Sequence, residues 1–151
     1  MISELSARRI ISYAVLASLI VATLVLIYSG LIGEPVVAVV KGNSMLPLLR
    51  EGDIVIIMNV KPSEINTGDV IVFKTFTGTL VIHRVIGITV EDGKYYYVTK
   101  GDNNPFPDFT HFVDGKGVPY ERVVGKVMGF NNAVFKIPYL GNLALMARKE
   151  N

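Results

Sequence analysis

The rhythm of hydrophobic and polar positions changes once along this chain. From Ile10 to Ile32 it reads IISYAVLASLIVATLVLIYSGLI, 23 residues without a charge. A run with no polar face predicts a helix that is apolar on every side. At 1.5 Å per residue it would be about 35 Å long, against a bilayer hydrocarbon core of roughly 30 Å. Arg8 and Arg9 precede it, and Glu34 is the first charge beyond it. Positive flanks stay cytoplasmic. The pattern therefore predicts a cytoplasmic N-terminus over residues 1–9, a single transmembrane anchor over 10–32 and an extracytoplasmic domain over 33–151. The rival reading is a cleaved signal peptide, with Ser29-Gly30 as the small residues near its end. Such a peptide normally has an apolar core of only about 7–15 residues.

Beyond the anchor the pattern shortens. Valine- and isoleucine-rich runs of a few residues alternate with Gly, Asp, Asn and Pro, as at Pro35–Val40, Asp53–Met58, Asp69–Phe73, Thr79–Thr89, Tyr95–Thr99 and Arg122–Met128. Short runs bounded by turn residues predict a mainly β domain of hairpins with one longer loop. "VEDGKYYYV" is the clearest hairpin, because Asp92-Gly93 suits a tight primed turn. Gly-Asp occurs at 52–53, 68–69 and 101–102. The first two open apolar runs and mark strand starts, whereas the third opens the polar loop "GDNNPFPD". Near the C-terminus, Ile137–Ala147 is uncharged for only 11 residues, too short to span a bilayer as a helix. It reads as a core segment or as one lying at the membrane surface.

Composition narrows the function classes. The 151 residues suffice for one domain with a real core. The net charge of +2 and the lack of a Lys/Arg cluster give no basis for a nucleic-acid partner. With no cysteine, thiol nucleophiles, zinc–cysteine sites and disulfides are excluded. No metal or organic cofactor is implied.

The stretch "KGNSMLPLLREGDIVII" (residues 41–57) sets Ser44 on a bend just before an apolar run. Either the hydroxyl caps the turn, or a neighbouring base makes it react. Two histidines are available. His83 lies within "TLVIHRVIGI", where alternation puts Val81, His83 and Val85 on one face; His111 lies in "DFTHFVDG" and reads as a surface side chain. The carboxylates on offer are Asp102 and Asp108, in a loop that Pro105 and Pro107 stiffen. Taken singly, these residues also read as a core histidine and as turn aspartates. Together they fit a Ser/His/Asp constellation.

The boxes "GNSMLPLLREGDIV", "GDVIVF", "VIHRVIG" and "VTKGDNNPFPD" resemble those of type I signal peptidases of the archaeal and endoplasmic-reticulum branch. The resemblance runs from Val37 to Gly129 and takes in the preceding anchor. It implies that Ser44 is the nucleophile, that His83 is the base where the bacterial branch has lysine, that Asp108 completes the triad and that Asp102 supports the site. It also implies a β-rich catalytic domain, preproteins with A-x-A-like cleavage sites as substrates and contact with the lipid bilayer, and it leaves open whether partner subunits are needed, as in the reticulum complex. Met45 and Leu46, beside the nucleophile, are the candidate substrate-pocket residues. The family usually has Ser-Gly-Ser-Met, and Gly42 stands where its first serine supplies an oxyanion donor in bacterial relatives; the Ser44 N–H remains. Ser44 lies twelve positions beyond Ile32, a span that extends to at most about 40 Å, which confines the serine near the outer membrane surface. A tethered β-domain without catalysis and a self-cleaving repressor-like peptidase are the alternatives. The latter type is soluble and uses a lysine base, unlike this chain.

Overall fold

The computed structural model describes residues 2–32, 36–130 and 133–140. The chain divides into two compact units, Met1–Glu34 and Pro35–Asn151.

The first unit is one helix, α1 (Ile2–Ile32). Its side chains are described at 9 and 11–25, and all of these are exposed. Among the described residues no helix is long and apolar enough to cross a membrane. Both ends of the anchor read over Ile10–Ile32 have side chains outside the described residues.

The second unit is mainly β, as the short apolar runs indicate. Its strands are β1 (Val36–Val39), β2 (Ile54–Met58), β3 (Val70–Lys74), β4 (Leu80–Glu91), β5 (Lys94–Lys100), β6 (Val118–Pro119), β7 (Val123–Val127), β8 (Gly129–Phe130), β9 (Ala133–Val134) and β10 (Lys136–Ile137). Each of the six runs read as a strand forms one, with ends shifted by one or two residues. The two-residue strands β6, β8, β9 and β10 are too short to carry an alternation and were not legible. The main sheet has the order β1-β2-β7-β3-β4-β5-β6, with β10 also paired to β2.

Turn chemistry explains the strand starts. Asp92 and Gly93, the two residues between β4 and β5, both have positive φ (49° and 74°), as a type I′ turn demands. At the first two Gly-Asp pairs the glycine has positive φ and the aspartate Oδ2 accepts a backbone N–H three residues back: Arg50 to Asp53 at 3.0 Å, Asn66 to Asp69 at 2.7 Å. These local bonds compete with strand extension and set where it begins. The third pair differs: Gly101 does not have positive φ, and its role is described below.

Two apolar clusters fill the domain. One gathers Val40, Met45, Leu49, Val55, Ile57, Val70, Val72 and Val127. The other gathers Ile65, Ile71, Phe73, Val85, Tyr97 and Val118. Ile71 and Val72, adjacent on β3, point to opposite faces and so serve different clusters. At the C-terminus, Lys136–Ile137 pairs with Val55–Ile54 of β2. Most of the Ile137–Ala147 segment, from 141 onward, lies outside the described residues.

β10 also delivers a cation to a buried carboxylate. Asp53 is 1% exposed. Lys136 Nζ lies 2.8 Å from Asp53 Oδ2 and donates to the Leu48 carbonyl at 2.7 Å. Burial opposes the charge on Asp53, but the bonds from Lys136 and from the Arg50 and Tyr139 N–H groups outweigh it and hold its pKa below the ordinary 3.8. A depressed carboxylate pKa contributes stability above the unfolded value, and that stability is lost as pH falls through the folded value. Lys136→Met should therefore cost about 2 kcal/mol at neutral pH. The gap to wild type should narrow as pH falls below the ordinary carboxylate pKa and through the lower value of folded Asp53, where the carboxylate protonates and no longer needs the cation. Thermal unfolding of both proteins at pH 7 and pH 3 checks this; a gap of constant size would contradict it.

Candidate active site

β4 carries the central side chain. Its first half pairs with β3, His83 opposite Ile71, and β5 joins its other edge only from Arg84 onward. Alternation turns His83 and Val85 inward, leaving His83 7% exposed. His83 Nδ1 lies 2.6 Å from Asp108 Oδ2. A carboxylate only accepts, so Nδ1 carries a proton, and in the neutral imidazole Nε2 then presents a lone pair.

Asp102 goes elsewhere. Its two oxygens take Arg84 Nε at 2.7 Å and Nη2 at 2.6 Å, a bidentate pair, while Arg84 Nη1 donates to the Gly68 carbonyl at 2.7 Å. The Asp102 carboxylate outweighs partial burial and pushes the arginine's pKa further up. The two aspartates of one loop thus have different partners: Asp108 meets the imidazole and Asp102 a guanidinium.

The same loop docks on the turn that carries Ser44. The Asn103 N–H donates to the Ser44 carbonyl at 2.8 Å, and Asn103 Nδ2 to the Asn43 carbonyl at 3.2 Å. A Cβ on Gly101 would sit 2.7 Å from the Ser44 carbonyl oxygen, so glycine is required there by close approach. The roles of Asn103 and Gly101 were missed from sequence, because the bonds of the one and the close approach of the other are to backbone atoms of residues 43 and 44, about sixty positions away. Thr99 was missed as well: its hydroxyl donates to Asp108 Oδ2 at 2.7 Å. It looked like an ordinary strand residue.

Ser44 and His83 share a cleft of about 290 Å³. Its walls are residues 38–41 on one side and 80–82 on the other, with Val55, Val72 and Asn104. Ser44 Oγ and His83 Nε2 both remain without a hydrogen bond among the described residues. Met45 and Leu46 do not belong to these walls. Met45 is 1% exposed and packs in the core. The turn after Ser44 points it inward, and the apolar lining comes instead from β1 and the start of β4. His111 is half-buried and not a free surface side chain; its ring packs edge-on against Phe73 with centroids 5.8 Å apart. It is not part of the cleft. No group of acidic or histidine side chains suited to a metal occurs among the described residues.

Residues 10–104 match the family model described as signal peptidase, peptidase S26. The chain belongs to the signal peptidase family. It is similar to the signal peptidase complex catalytic subunit SEC11C of Homo sapiens, with 31% identity over 147 residues that cover 92% of this chain and 73% of that protein. The sec11 catalytic subunit of Dictyostelium discoideum is 31% identical over 135 residues, covering 85% and 75%. These matches bear out the resemblance to the archaeal and endoplasmic-reticulum branch.

The differing partners of the aspartates separate two variants of this signal peptidase. Asp102→Asn breaks a bidentate ion pair and strands a half-buried guanidinium, for an expected loss of roughly 1–3 kcal/mol. Asp108→Asn keeps an acceptor oxygen for Thr99 and should melt closer to wild type. Melting temperatures of the two purified variants give the comparison, and the reverse order would contradict it.

Proposed function

We propose that this chain is a membrane-anchored serine endopeptidase that removes signal peptides from exported preproteins after small residues. One observation carries the reading: the cleft that holds Ser44 and His83 lies between two strand edges, β1 and Leu80–Ile82, without a neighbour on the cleft side among the described residues. Open edges bind extended peptide by backbone hydrogen bonds, and shallow apolar walls then select small side chains. Val55, Val72 and Ile82 contribute such apolar walls.

In this mechanism Ser44 Oγ attacks the scissile carbonyl carbon as its proton passes to His83 Nε2. The Nδ1–H bond to Asp108 keeps the imidazole in the needed tautomer and stabilises the imidazolium. As the C–N bond breaks, His83 gives the proton to the leaving amine. Water then takes the same path in reverse: His83 accepts its proton, the hydroxyl attacks the acyl carbon, and Ser44 Oγ leaves reprotonated. The Ser44 N–H takes up the oxyanion, and Asn104, which lines the same cleft, is the candidate for a second donor. Asp102 serves the site indirectly, holding its loop to Arg84. The printed names of the relatives are those of catalytic subunits of a complex, which supports partner subunits here too.

The anchor reading rests on the uncharged run Ile10–Ile32, the Arg8-Arg9 flank and the exposure of apolar side chains along α1. A helix of that character has no favourable place in water. Protease added to wall-stripped cells should digest the domain beyond Glu34 and spare the N-terminus. Protection of the domain would reverse the orientation.

The activity is tested by incubating the detergent-solubilised chain with a preprotein. Wild type should release the signal peptide unaided. Ser44→Ala and His83→Ala should be nearly inactive, whereas His111→Ala retains most activity. An inactive His111→Ala beside an active His83→Ala would overturn the choice of base.

A further inference from the structure

We propose that Thr99 is a positioning residue of the catalytic apparatus, fixing the Asp108 carboxylate against His83; this rests on the peptidase reading above. Thr99 is fully buried, at 0% exposure. Its Oγ1 donates to Asp108 Oδ2 at 2.7 Å, and its carbonyl accepts the Asp108 N–H at 2.9 Å. One residue therefore clamps Asp108 by side chain and backbone at once.

The geometry is specific. Thr99 stands directly opposite Val85 in the β4–β5 pair, so its side chain shares the face on which His83 and Val85 point inward. His83 Nδ1 and Thr99 Oγ1 then approach the same oxygen, Oδ2, at 2.6 and 2.7 Å. A carboxylate oxygen has lone pairs for two donors. Two donors on adjacent strands, held at a separation set by the ladder, fix the carboxylate more closely than the imidazole alone could. Packing does not demand the hydroxyl, because valine has the same shape and suits a buried strand position. The donor is what threonine adds. Without it, the carboxylate is free to turn about its side-chain torsions, and the imidazole loses its fixed acceptor. Misplacement of a catalytic group by about 1 Å can cost up to about 100-fold in rate.

The test uses the full chain in detergent, comparing wild type with Thr99→Val, Thr99→Ser and Ser44→Ala. The first readout is the low-field proton resonance of His83 Nδ1–H, which needs no turnover. It should be sharp in wild type and Thr99→Ser, and shifted or broadened by exchange in Thr99→Val. The second is preprotein cleavage. Thr99→Val should lose up to about 100-fold in kcat at unchanged KM, with Thr99→Ser close to wild type and the melting temperatures of all variants similar. A Thr99→Val protein with the wild-type resonance, or a Thr99→Ser protein as impaired as Thr99→Val, overturns the proposal. If wild type proves as inert toward preprotein as Ser44→Ala, the peptidase reading fails, and the resonance still decides the role of Thr99.

Discussion

The staggered pairing of β4 is the constraint on which the rest of the site depends. β3 covers one edge from Leu80 to Arg84, and β5 covers the other only from Arg84 to Glu91. A strand used in this way is structural for one half of its length and available for the other. Where the stagger falls, alternation turns His83 inward and Arg84 the opposite way. The imidazole meets Asp108, and the guanidinium meets Asp102 and the Gly68 carbonyl. One dipeptide thus sorts the two aspartates of a single loop.

That loop ties together three segments far apart in sequence. Gly101 and Asn103 rest on the Ser44 turn, Asp102 on β4, and Asp108 on both β4 and β5. Ordering an eight-residue loop costs conformational entropy at about 1–2 kcal/mol per residue. Pro105 and Pro107 lower that cost, because their φ is already fixed in the unfolded chain. The bond to Ser44 is to its backbone carbonyl, so the position of the serine depends on the loop even though, among the described residues, no side chain of the loop hydrogen-bonds its hydroxyl.

Open strand edges are normally a hazard, since they invite pairing with other chains. Here β1 is only four residues long and the open part of β4 about as short, which limits nonspecific pairing. Both edges border one cleft, and in the proposed mechanism that favours entry of an extended segment with small side chains. The feature that serves recognition is therefore the same one that most sheet proteins cover.

Much of this was legible in the sequence, where the signal is local. The short apolar runs placed the six longer strands, because alternation and turn residues act over a few neighbours. Asp92-Gly93 specified its own hairpin, and the Gly-Asp pairs marked strand starts through bonds made within three residues. The boxes around Ser44, His83, Asp102 and Asp108 carried the family. What tertiary structure alone decided was everything that depends on register between distant strands. Met45 looked like a pocket residue from its place beside Ser44, but the turn buries it in the core, and the cleft takes its walls from β1 and β4. Thr99 and Asn103 stand inside the box that begins at Val98, but no role could be read for either, since a threonine in a strand and an asparagine in a turn satisfy local rules without reference to a site. Their partners lie 9 residues away across a loop and about 60 across the domain. Sequence determines which groups can react and which segments pair; only the packed sheet brings two donors to one carboxylate oxygen, because that requires strand separations fixed to a fraction of an ångström.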